Sequence, residues 1–144
     1  MSEKLTPKEY LMQIRKLKLL IEQRKKELDL LAEKSLSALS GIDYSRIPVK
    51  GSRSGGAPFE QTAIKAADLG EKVAALIRKY TDLQHKIIGE IQALDRPEYM
   101  QVLYKRYVEN KRLEEIAREM NYDDVYIRRL HGRALQEFAR KFLQ

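Results

Sequence analysis

The chain has 144 residues, of which 34% are charged, and a net charge of +7. That length holds one ordinary domain, or a small domain with an elongated element, and such a charge density favours exposed helices over a large compact core. Cysteine is absent, which excludes disulfides, thiolate catalysis and cysteine zinc sites and fits a reducing compartment.

The opening residues, MSEKLTPKEY, contain no apolar stretch of signal-peptide length. No run approaches the roughly 18 apolar residues of a membrane span, so a soluble, cytoplasmic protein is expected. Thr6-Pro7-Lys8-Glu9 is a strong helix start: a threonine cap, proline at the first helical position and a reciprocal glutamate. From there Tyr10, Ile14, Leu17, Ile21, Leu28 and Leu31 follow steps of three and four, with Arg24 filling one step. Leu11, Leu20 and Leu30 widen the stripe, as a helix with more than one neighbour would require.

Residues 40–60 break the pattern with glycine, serine and proline and are expected as a flexible loop. Their basic residues Arg46, Lys50 and Arg53 fit a solvated tether better than a phosphate site. Residues 61–95 return to helix, with Ala66, Leu69, Val73, Leu76, Tyr80, Leu83, Ile87 and Leu94 in heptad register and Glu90 as a polar intruder. An antiparallel hairpin of helices 1–39 and 61–95 uses this pattern economically. Parallel self-association through the same seams would use it equally.

Asp95 is placed to cap the next helix, with Glu98 as the reciprocal glutamate and Leu94 and Tyr99 as a hydrophobic staple. Helix 97–108 then turns Tyr99, Leu103 and Tyr107 inward, and Asn110 marks a bend. Beyond it, residues 113–135 read as two short amphipathic helices. Ala117 is small enough for their crossing, and Asn121 tolerates the left-handed backbone of the turn. Asp123 can cap the second helix, with Tyr122 and Ile127 closing over its start. Leu113, Ile116, Met120, Ile127, Leu130, Ala134 and Phe138 fall on the apolar faces, whereas Arg128, Arg129 and Arg133 lie opposite. An arginine-bearing helix face of this kind can enter a DNA major groove. Bulk charge adds little, since residues 97–144 carry 10 basic and 8 acidic groups.

Residues 97–140 resemble region 4 of bacterial sigma factors, which reads an upstream promoter element. The likeness is carried by LEEIA at 113–117, by Ile127-Arg128 and Ala134-Leu135, and by Arg106-Tyr107. The whole chain is similar to small phage and prophage proteins of the autolysin-regulatory kind, described as late-transcription regulators, through KEYLMQIRKL and LHGRALQEF. The resemblance implies an all-α fold: a long two-helix antiparallel coiled-coil hairpin, then a three-helix helix-turn-helix domain over 96–144. It also implies base reading by Asp124, Val125, Arg128 and Arg129. Arg128 suits bidentate recognition of guanine, and Asp124 can accept from cytosine N4. Arg133, Lys111 and Arg112 are the expected phosphate contacts, although sigma factors tend to carry a hydroxyl or acidic cap where Arg112 stands.

The expected partners are double-stranded DNA, RNA polymerase through the region around helix 97–108, and a second copy of the chain, since one copy makes few phosphate contacts. His131 can approach DNA or serve as a half-buried structural histidine. No phosphate loop, histidine ligand pair or activated nucleophile is recognisable, so neither an enzyme nor a cofactor is expected. A DNA-packaging subunit and a polymerase adaptor that never touches bases remain open as alternatives.

Overall fold

The computed structural model describes the backbone of residues 4–40 and 53–144 and, within them, the side chains of 4–34 and 60–144. All regular structure among the described residues is helical. Helix α1 is Pro7–Ser40, α2 Arg53–Gln92, α3 Pro97–Leu103, α4 Leu113–Met120 and α5 Asp124–Phe142. A π-helical turn, Tyr104–Val108, continues α3. No helix among the described residues is long and apolar enough to cross a membrane.

Two boundaries differ from the sequence reading. Helix α2 starts at Arg53, inside the stretch 40–60 that reads as loop. Propagating an existing helix adds one hydrogen bond for each residue fixed, and this carries it back through Gly55 and Gly56 against their weak propensity. The remainder, 41–52, with Arg46 and Lys50, lies outside the described residues. Asp95 does not cap α3. The cap position is Arg96, in extended conformation and without a side-chain cap bond, because Pro97 occupies the first helical position and fixes the chain direction one residue later.

The chain forms two units, one of Met1–Lys18 with Lys79–Gln144 and one of Leu19–Arg78. In the second, Ile21 and Val73 are buried. Arg24, Leu28 and Leu31 on α1, and Thr62, Ala66, Leu69 and Leu76 on α2, are half-buried. These positions keep the three-and-four spacing of a heptad seam. Leu20 and Leu30, which widen the stripe in sequence, are exposed.

In the first unit, the start of α1 and the end of α2 share one core with α3, α4 and α5. Leu11, Ile14, Ile87, Ile91, Leu103, Tyr107, Ile116, Ile127, Ala134 and Phe138 all belong to it. The α1 start is built as its sequence dictates: Thr6 Oγ1 accepts from the Glu9 amide at 3.2 Å, and Glu9 Oε2 accepts from the Thr6 amide at 3.3 Å. Tyr10 packs its ring on Phe138, with centroids 5.7 Å apart. Its hydroxyl donates to Glu90 Oε1 at 2.5 Å. The polar intruder of the second heptad pattern therefore meets the polar end of the first, and burial with this carboxylate beside it pushes the Tyr10 phenol well above its ordinary range. At the other end of the unit, Lys141 Nζ donates to the Ala93 carbonyl at 2.5 Å and satisfies the end of α2.

Tyr10→Phe keeps the ring and removes the bond. It is expected to cost about 1–2 kcal/mol in urea denaturation, because Glu90 loses its donor in a half-buried setting. Glu90→Gln, which retains an acceptor, should cost less.

Candidate nucleic-acid interface

The candidate surface is built by α4, the turn after it and α5. Arg112 stands at the α4 cap position with φ −74° and ψ 151°, and its side chain makes no cap bond. Glu114 and Glu115 place acidic charge in the first turn, where the helix dipole favours it. Helix α4 ends at Asn121, whose φ of 60° and ψ of 42° are left-handed. The Tyr122 amide then reaches the Ala117 carbonyl at 2.9 Å and the Asn121 amide the Arg118 carbonyl at 3.3 Å. This is a Schellman closure, for which asparagine is among the few suitable non-glycine residues. Two residues later Asp123 Oδ1 accepts from the Tyr126 amide at 2.7 Å and starts α5. Tyr122, expected to staple onto Ile127, keeps 37% of its surface in solvent. Its ring lies 4.5 Å from that of Tyr126, centroid to centroid, at the rim of the surface.

Helix α5 buries Ile127, Leu130, Ala134 and Phe138 completely or nearly so. The 3.6-residue period places Val125, Arg129, Gly132 and Gln136 on the opposite face, with Arg128 on one flank and Arg133 on the other. Asp124, Val125, Arg128, Arg129 and Arg133 are all exposed. Val125 keeps 57% of its surface in solvent, high for an aliphatic residue. None of the three arginines has an ion-pair partner among the described residues. All four sequence-derived base-reading positions and Arg133 are thus exposed on α5 among the described residues.

Lys111 departs from expectation. Its ammonium lies 2.8 Å from Glu109 and 2.6 Å from Glu119, and Lys105 reaches Glu119 at 3.3 Å. Hydrogen bonds to Glu109 and Glu119 hold the Lys111 pKa above its ordinary value, and the Lys111 bond holds Glu119 below the usual carboxylate range. These pairs tie the π-helical turn and the loop after it to α4. A lysine already held by two carboxylates is a poor phosphate ligand, whereas its neighbour Arg112 is exposed and without a side-chain bond. Arg106 also turns inward, donating through Nη1 to the Lys111 carbonyl at 3.0 Å. Asn110, with φ 58°, makes this reversal possible.

Beneath the surface, the Tyr107 hydroxyl and His131 Nε2 are 2.8 Å apart, and the rings stack at 5.7 Å. Burial, then the charges of Arg106 and Lys8, push the His131 pKa down to about 4, and burial pushes Tyr107 up to about 12. His131 is therefore the structural histidine of the two sequence alternatives, neutral near pH 7 and fixed in place by Tyr107. Sequence reasoning had no signal for this pairing, because the two residues lie 24 positions apart. It also passed over Gly132, where an added Cβ would meet nothing within 4 Å.

An open depression of about 310 Å³, lined by Gln92, Met100, Gln101, Tyr104, Lys105 and Glu109, lies on the α3 side of the same unit. Among the described residues, no three histidine, aspartate or glutamate side chains gather as a metal site. No family model matches the chain, and no curated protein or solved structure matches it.

Gly132→Ala is expected to raise stability by about 0.5–1 kcal/mol in denaturant titration, since the methyl group has room and the helix gains propensity. The His131 shift also fixes a pH dependence. The unfolded chain binds a proton near pH 6.5 that the native state refuses until about pH 4. This contribution to stability is complete above pH 6.5 and declines as the pH falls toward 4. With allowance for partial exposure it should reach about 1.5 kcal/mol, visible between pH 6.5 and 5 and flattened in His131→Gln.

Proposed function

We propose that the protein is a sequence-specific DNA-binding transcriptional regulator of the phage or prophage type, with α4 and α5 as a helix-turn-helix and α5 seated in the major groove. The observation that carries this reading is the outer face of α5. An apolar side chain and three arginines without ion-pair partners among the described residues project from it, while the inner face is buried. Solvated guanidinium groups that no carboxylate among the described residues engages are available for guanine O6 and N7 or for phosphate. Val125, set between them, offers an apolar contact for a thymine methyl group. Arg128 and Arg129 are the base-reading arginines in this reading, and Asp124 sits at the helix end nearest the bases.

Phosphate contacts then fall to Arg133 and Arg112 rather than to Lys111. So few contacts from one copy give modest affinity, which favours a dimer on paired half-sites. The heptad burial on α1 and α2 supports helical pairing, and the Tyr10–Glu90 bond supports an antiparallel hairpin at its base. The depression beside Met100 and Tyr104 has the mixed lining of a protein contact and suits RNA polymerase.

Selection of bound fragments from genomic DNA should enrich one short motif. On that motif, Arg128→Ala should cost about 1–3 kcal/mol and relax a single base position. Arg133→Ala should weaken all sequences alike and flatten the salt dependence. Small, equal losses on every DNA tested would remove base reading, and retention of polymerase without any DNA would favour the adaptor alternative.

A further inference from the structure

The unit that carries α5 leaves few large apolar side chains in solvent. Among its described residues these are Leu5, Tyr122, Val125 and Tyr126, so three of the four fall within five consecutive positions at the start of α5. The two tyrosine rings lie against each other, with centroids 4.5 Å apart. Tyr126 is fixed from a second side, its hydroxyl donating to Glu98 Oε2 of α3 at 3.4 Å. Val125 stands on the outward face, and Tyr126, about 100° round the helix, shares the flank of Arg133 two turns further on. The three side chains form an apolar ledge continuous with the cationic face of α5. Charge decides what such a ledge can face. Between the tyrosines in the chain stand Asp123, whose carboxylate accepts from the Tyr126 amide, and Asp124, which is exposed. Two carboxylates repel the sugar-phosphate backbone, so this end of α5 suits base edges. In the major groove the apolar feature of a base edge is the methyl group at pyrimidine C5.

We propose that Tyr122 and Tyr126, together with Val125, read pyrimidine C5-methyl groups, taking thymine or 5-methylcytosine. This proposal rests on the reading of α5 as the base-reading helix and names the chemistry that its first turn selects. It makes the two tyrosines specificity residues, which neither the helical pattern nor the family likeness assigns. Ring faces already held against each other and tied to Glu98 lose little side-chain freedom when they close on a methyl group. The arginines then engage guanine or phosphate along α5 while the ledge engages a methyl at its start. The bound motif should therefore combine guanine with a C5-methylated pyrimidine.

The test measures the affinity of the full chain for the selected motif with each thymine replaced in turn by uracil, which deletes the methyl and keeps every hydrogen-bonding group. Uracil is expected to weaken binding about three- to five-fold at one or two positions, the worth of one buried methyl group, and to change the others little. In Tyr122→Ser and Tyr126→Ser the thymine motif should bind as weakly as the uracil one, whereas Tyr126→Phe, which keeps the ring, should still discriminate. At the sensitive position, cytosine and 5-methylcytosine opposite guanine separate the two sources. Tighter binding of the methylated base shows that the methyl alone is read, and equal binding restricts the ledge to thymine. Uracil binding like thymine at every position, with no gain from cytosine methylation and Arg128→Ala still impaired, would overturn the ledge and leave the role of α5 standing. Serine variants that lose RNA polymerase and not DNA would also overturn it and make the ledge a protein contact. If Arg128→Ala binds every DNA as the parent does, the reading of α5 itself fails. The uracil series uses the unaltered protein, so a variant that fails to fold leaves the test intact.

Discussion

The burial of one stripe on α5 sets everything that the candidate surface can do. Ile127, Leu130, Ala134 and Phe138 are withdrawn from water almost entirely. A fully buried leucine, isoleucine or phenylalanine contributes about 1.5–3 kcal/mol, whereas an exposed ion pair contributes about 1 kcal/mol or less. The rotation of α5 about its axis is therefore decided by its apolar residues. Once that rotation is fixed, the helical period leaves Val125, Arg129 and Gly132 no other direction than outward. The cationic face is a consequence of the core, not of any attraction among charges.

The same core constrains how α4 and α5 can meet. Two left-handed asparagines, Asn110 and Asn121, bound α4 on either side. Each allows the chain to reverse within a few residues, and each reversal is closed by backbone bonds rather than left to solvent. Before Asn110 the helix widens, with the Glu109 amide reaching back to the Tyr104 carbonyl at 3.1 Å and the Lys111 amide to that of Lys105 at 3.0 Å. The widened turn brings Tyr107 under α5, where its hydroxyl meets His131. It also carries Lys105 to Glu119. A π-helical turn is strained relative to a regular helix, and here the Tyr107–His131 contact and the Glu119 ion pairs hold it in place.

Features that depend on neighbouring residues were legible in the sequence. The capping box of Thr6 and Glu9, the left-handed Asn121 and the cap at Asp123 each involve bonds across three to five positions, and each is found where its residues indicate. The apolar faces of α4 and α5 were legible for the same reason. What escaped depends on distant partners. Lys111 resembles any surface lysine until Glu109 and Glu119 are brought beside it. Glu90 interrupts a heptad pattern and gains a purpose only when Tyr10, 80 positions away, arrives. Asp95 has the chemistry of a cap, but the proline two residues on shifts the cap to Arg96. The helical start of α2 at Arg53 was hidden by glycines whose local preference is outweighed by propagation from a long helix.

The division of labour among the cations gives the surface its character. Over residues 97–144 the three lysines are all engaged: Lys105 and Lys111 with Glu119, and Lys141 with the Ala93 carbonyl and Asp95. The basic residues of this region without an ion-pair partner among the described residues are all arginines: Arg128, Arg129 and Arg133 on α5, Arg118 on α4 and Arg112 beside it, all exposed, and Arg106, which is bonded to the Lys111 carbonyl. A lysine ammonium is a strongly hydrated point charge that can bind a carboxylate from many directions, so it serves well as a tie between segments. A guanidinium presents a planar fork whose value depends on finding a matching pair of acceptors. The lysines of this region hold segments together and most of its arginines face solvent, so the near-neutral bulk charge does not argue against a nucleic-acid partner. The counting of charges averages two populations with different tasks, and only the outward one bears on what the surface can recognise.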